Sequence, residues 1–171
     1  MIMQPISTSS AKPLASLILA LWLSFYASSY AQGPTPFEKF AGQWAGSGTI
    51  DLSSGAREAI RCRAAYDVLD QQNKLQLSIR CASDSYNFEL RASATDNAGA
   101  ITGTWSEATR NAAGTISGKT NGDQFQITAK SQSFTANLTL TTHGDRQSVV
   151  IQSQEVQTSV KGATITLQRS S

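Results

Sequence analysis

Position 143 carries the single histidine of a 171-residue chain, and most general-base and cofactor chemistry would have to pass through it. A Ser-His-Asp set needs a histidine to take the serine proton, and haem is most often ligated through one. But His143-Gly144-Asp145 follows Thr141-Thr142 and reads as a hairpin turn, where an imidazole is normally solvated. No G-x-S-x-G nucleophile elbow occurs, and Gly46-Ser47-Gly48 lacks that spacing. The two cysteines, Cys62 and Cys81, have no histidine neighbours and form no C-x-x-C, which makes a poor zinc site. Glu107 follows Trp105 by two residues and so shares its face on a strand, with Arg110 near enough to neutralise it. The pair reads either as a polar anchor inside a pocket or, more plainly, as a salt bridge at a strand end. These residues predict no enzyme, no haem or other cofactor, and no metal.

Charge points the same way. The chain holds 14 basic and 12 acidic residues. Loss of residues 1–31 would remove Lys12 alone and leave 13 against 12, a net charge of +1. That balance gives no electrostatic case for nucleic acid or a membrane surface. Arg61, Arg63, Arg80 and Arg91 fall on one outer face and form a candidate anion patch, with Asp67 and Glu89 on the same face to offset it. No aromatics are interleaved there, which argues against stacked bases.

The elements that position these groups begin after a leader. Residues 1–13 are polar, with Lys12 as the side-chain positive charge. Leu14 to Ala27 is apolar, and Ser29-Tyr30-Ala31 ends in a small residue. This is the order of a secretory signal peptide, with cleavage expected after Ala31 and a periplasmic or extracellular destination. The apolar run is shorter than the ~20 residues of a membrane span, and no second one follows, so no span is expected in the mature protein. Residues 32–41 read as a linker and a short helical turn, and 42–171 as a single domain.

From there the hydrophobic period is two. Turn residues recur about every ten positions, giving ten predicted strands at 44–52, 58–69, 74–82, 85–93, 100–107, 114–120, 124–130, 133–142, 147–153 and 163–169. Ile60, Cys62, Ala64, Tyr66 and Val68 share one face of the second strand, and Leu75, Leu77, Ile79 and Cys81 one face of the third. One buried and one wet face means antiparallel sheet. The whole is an all-β meander, closed as a barrel or folded as a sandwich. A hairpin centred between Gln71 and Gln72 sets Val68 against Leu75, Tyr66 against Leu77, Ala64 against Ile79 and Cys62 against Cys81. A one-residue slip would turn an apolar face to water. The same register sets Arg63 against Arg80. Facing cysteines in an exported chain predict a disulfide.

The domain opens Phe37-Glu38-Lys39-Phe40-Ala41-Gly42-Gln43-Trp44. This resembles the start of the calycin barrels (lipocalins, fatty-acid-binding proteins and avidins), in which a short helical turn precedes G-x-W at the mouth of the first strand. Trp44-Ala45-Gly46-Ser47-Gly48 is similar to the W-x-G-x-G of nitrobindin-like haem barrels. The resemblance implies a closed barrel base with Gly42 and Trp44 as structural residues. It also implies a basic residue from the last strand over the indole, a place Arg169 would take. It implies no particular ligand. The strings 61–66, 80–86 and 105–107 look similar to small exported bacterial proteins of unknown function, which supports export and brings no activity.

Tyr66, Tyr86, Phe88 and Trp105, interleaved with Ala64, Ala92 and Gly103, are candidates to line a cavity for one small, mostly apolar ligand. The competing expectation is a structural or protein-interaction module, such as an envelope protein or an inhibitor-like protein, with a filled core.

Overall fold

A computed structural model describes residues 35–69, 73–154 and 159–170. The predicted signal peptide and its cleavage site lie outside these residues. A single 3-10 turn, Glu38–Phe40, leads into ten strands: β1 Gly42–Leu52, β2 Arg57–Leu69, β3 Lys74–Ala82, β4 Asn87–Asn97, β5 Ala100–Glu107, β6 Ala112–Asn121, β7 Gln124–Lys130, β8 Thr135–His143, β9 Arg146–Ser153 and β10 Val160–Arg169. Each pairs antiparallel with its sequence neighbours, and β10 returns to β1, closing a barrel rather than a sandwich. Closure leaves no sheet edge to be covered. Among the described residues no helix is long and apolar enough to cross a membrane, which says nothing of spanning by strands.

The β2–β3 register is the one the apolar alternation requires, with Cys62 opposite Cys81, Arg63 opposite Arg80 and Tyr66 opposite Leu77. Cys62 and Cys81 form a disulfide, their Cα atoms 4.1 Å apart. Strands β1, β6, β8 and β10 begin two or three residues from their expected starts, and β4 departs most. β4 starts at Asn87 rather than 85 and runs on to Asn97 rather than 93. Its extension, Ala94-Thr95-Asp96-Asn97, is small and polar and carries little strand signal. Partners fix it instead, Ala94 lying opposite Leu75 and Gly103. The turn that follows places Ala98 and Gly99 at φ 51° and 91°, the paired positive values of a two-residue hairpin, and Asp96 Oδ1 accepts the Gly99 N–H at 2.9 Å.

Inward burial is lopsided. On β1, β2 and β10 the inward residues Trp44, Ile50, Ile60, Ala64, Tyr66, Ile165 and Leu167 are buried. Gly46 lets β1 bend tightly against β10, since a Cβ there would collide with the Thr166 carbonyl. On β3 and β6–β8 the inward Leu77, Ile79, Ile116, Ile127, Leu138 and Leu140 are only partly buried. These inward apolar side chains thus keep some exposure, unlike their counterparts on β1, β2 and β10.

Candidate functional site

The two ends of the barrel differ in chemistry. At the end holding the β2–β3, β4–β5, β6–β7 and β8–β9 turns, aromatic rings plug the opening. Phe37 stacks on Phe125 with centroids 5.9 Å apart, and Phe40 meets Phe125 edge-on at 4.9 Å and Tyr66 at 5.5 Å. The 3-10 turn delivers Phe37 and Phe40, each 1% exposed. Trp44 anchors that turn by donating its indole N–H to the Phe40 carbonyl at 2.7 Å. Arg169 lies over the Trp44 ring at 4.3 Å. Its guanidinium donates to the carbonyls of Ala41 and Lys39 and to Asp145. Gly42, at φ 109°, turns the chain from this plug into β1.

Tyr66 belongs to this plug and stands apart from the other three candidate lining residues. It is 3% exposed, and its hydroxyl donates to Gln147 Oε1 at 2.7 Å, with Gln147 donating on to Thr142. Burial pushes the Tyr66 phenol well above its ordinary value, against the opposing bond to Gln147. The charged outer rim here includes Lys39, 2.9 Å from Asp123. His143 also faces Asp123, at 3.1 Å, and is largely exposed.

Tyr86, Phe88 and Trp105 lie toward the opposite end, which the β3–β4, β5–β6 and β7–β8 loops surround. Tyr86 and Phe88 stack at 6.3 Å, and Arg110 caps Phe88 at 4.5 Å. Trp105 is paired with Ala92 on β4 and Gly114 on β6, and Phe134 from the β7–β8 loop meets it edge-on at 6.2 Å. Glu107 is 6% exposed and is occupied by its own loop. Its Oε1 accepts from the Glu89 and Thr109 amides at 3.0 Å and the Thr109 hydroxyl at 2.6 Å. Its Oε2 accepts from the Arg110 amide at 2.8 Å and lies 3.6 Å from the Arg110 guanidinium. Burial pushes this carboxyl up, but the Thr109 hydroxyl and the three amides outweigh it and hold the group below the ordinary carboxylate range. A carboxylate so engaged on both oxygens organises a turn.

On the outer wall, Arg80 pairs with Glu89 at 2.9 Å, and Arg91 approaches the same carboxylate at 3.9 Å. Arg61 and Arg63 are exposed and make no ion pair among the described residues. The four arginines thus share a face, two of them shielded by one glutamate. Among the described residues no group of three or more His, Cys, Asp or Glu side chains is placed to hold a metal ion.

Several residues that shape the site stand outside the candidate set that the sequence yields. Phe37, Phe40, Phe125 and Gln147 build the plug. Gly114 and Phe134 flank Trp105, and only the β5–β6 register, with its four-residue loop, would have found Gly114.

No family model matches the chain, and no curated protein matches it in sequence. Solved structures do match in fold. Rv2717c from M. tuberculosis is 10% identical with a TM-score of 0.61, over 78% of this chain and 94% of that one. The S-type phycobiliprotein lyase CPES from Guillardia theta is 10% identical with a TM-score of 0.58, over 79% and 90%. At such identity the likeness is one of fold alone, that of a closed ten-strand antiparallel barrel.

Proposed function

We propose that this protein is an exported, non-enzymatic barrel that holds one small, mostly apolar molecule in its lumen. The observation that carries the reading is the accessible apolar inner wall of β3 and β6–β8. Each Å² of such surface left facing water forgoes about 25 cal/mol, which an apolar occupant would recover. The aromatic plug closes one end, so entry is through the other, past Tyr86, Phe88 and Phe134. The fold likeness to a phycobiliprotein lyase is consistent with a barrel that binds a small ligand. Among the described residues no histidine faces the lumen and the inward Glu107 is engaged by its own hydrogen bonds, which favours binding over turnover. The disulfide fits a periplasmic or extracellular home.

Residues 32–171 contain two tryptophans, Trp44 in the plug and Trp105 in the wall. In a Trp44→Phe variant all tryptophan emission comes from Trp105. Titration with small naphthalene derivatives should quench that emission saturably, while Trp105→Phe protein, reporting from Trp44 alone, should respond far less. Unchanged Trp105 emission across such probes would count against the reading and return the chain to a structural or protein-interaction module.

A further inference from the structure

The indole N–H of Trp105 is the single buried side-chain polar atom without a hydrogen-bond partner among the described residues. Buried donors are rarely left unpaired, because the unmade bond costs the full desolvation of the group. Trp105 is 8% exposed and points inward. Its inward neighbours on β4, β5 and β6 are Ala92, Gly103, Gly114 and Glu107. Three offer no polar side chain, and the fourth has both oxygens engaged. The site is nevertheless built for this ring. A Cβ on Gly114 would collide with the Lys130 carbonyl and come within 2.9 Å of Trp105 Nε1. The indole can lie where it does only because residue 114 is glycine. Phe134, partly buried on the short 131–134 loop, is the neighbour able to yield.

We propose that the occupant of the lumen carries a neutral carbonyl-type oxygen that accepts the Trp105 Nε1–H as Phe134 moves aside. This rests on the reading of the lumen as a ligand site and adds the chemical class of the ligand and its specificity-determining residue. The acceptor is neutral because Arg110, the arginine of the loop that follows β5, is already engaged. It stacks on Phe88, donates to the Asn87 carbonyl and the Thr109 hydroxyl, and neighbours the Glu107 carboxylate. A ligand carboxylate would therefore be buried without a counter-charge, which is costly.

Three probes of similar size separate the possibilities: 2-acetylnaphthalene, 2-isopropylnaphthalene and 2-naphthoate. Binding is measured by calorimetry on the wild-type mature protein and on Trp105→Phe, which keeps an aromatic ring and removes the donor. The acetyl compound should bind the wild type most tightly and lose about tenfold in affinity on Trp105→Phe, in the range of one hydrogen bond to a desolvated donor. The isopropyl compound should change by less than about threefold. In ¹⁵N-labelled wild type, the Trp105 indole proton should move downfield with the acetyl compound and not with the isopropyl one. Equal losses for the acetyl and isopropyl probes, an indole proton that does not respond, or naphthoate binding as tightly as the ketone would overturn this inference while leaving a lumen that binds apolar molecules. Failure of all three probes to bind the wild type would instead remove the lumen reading itself.

Discussion

Glu107 shows how a single side chain is consumed by structure. It is a carboxylate two residues from a tryptophan, the sort of placement that invites an acid–base role. Three backbone amides and one hydroxyl donate to it, and the Arg110 guanidinium lies 3.6 Å away. Removing the acceptor would strand several amide donors, each costing on the order of 1–3 kcal/mol if left unmet. Glu107→Ala should therefore lower stability by about 2–4 kcal/mol in urea denaturation, well above a typical surface substitution. The pH dependence has a definite sign. The folded-state pKa lies below the ordinary value of 4.5, so this group's contribution is fully present above that value. It is lost as pH falls from there through the depressed folded pKa. Wild type should lose stability over that acid window more steeply than Glu107→Gln. Parallel curves for the two proteins would show that Glu107 is not bound as tightly as its contacts require.

Among the elements, the first strand and the turn before it do the most to close the molecule. Trp44 joins three of them. Its N–H fixes the 3-10 turn through Phe40, its ring packs against Tyr66 on β2, and its outer side carries Arg169 from β10. Trp44→Ala should cost about 3–5 kcal/mol, the range for losing a large buried aromatic. A loss under about 1 kcal/mol would mean the plug holds without it. The elements are also where sequence reasoning reached furthest. The β2–β3 register was legible because the apolar alternation and the cysteines demand the same pairing: a one-residue slip exposes a core face, and a two-residue slip parts the cysteines. The end of β4 was not legible, because Ala94-Thr95-Asp96-Asn97 has neither bulk nor branching to declare a strand. Tyr66 shows a different limit. Period-two alternation tells which residues face inward but not their height along the barrel axis, which strand tilt and stagger decide. Tyr66, Tyr86, Phe88 and Trp105 therefore read as one group, although Tyr66 lies at the plugged end and the others toward the opposite one. The setting of Trp105 was hidden for a related reason, since Phe134 reaches it from a loop two strands away.

At the scale of the whole molecule, the barrel divides its apolar surface unevenly. The inward residues of β1, β2 and β10 are packed against the plug, while Leu77, Ile79, Ile116, Ile127, Leu138 and Leu140 on β3 and β6–β8 are only partly buried. A fold that needed only to be stable would gain by filling that space, since close packing is the rule in protein interiors. Export is the remaining large-scale claim, and it rests on the order of residues 1–31. N-terminal sequencing of protein recovered from the culture medium or periplasm should begin at Gln32 or its cyclised form, and retention of Leu14 to Ala27 in that material would refute processing. The central claim, that the lumen houses a small apolar molecule, is tested most directly by mass spectrometry of protein purified from its own compartment. Intact protein under native conditions should carry a small additional mass that organic extraction removes, and the extract should contain a mostly apolar compound that rebinds to the stripped barrel. Bare protein alone in the native spectrum, with a stripped barrel that takes up neither the extract nor small apolar probes, would contradict it.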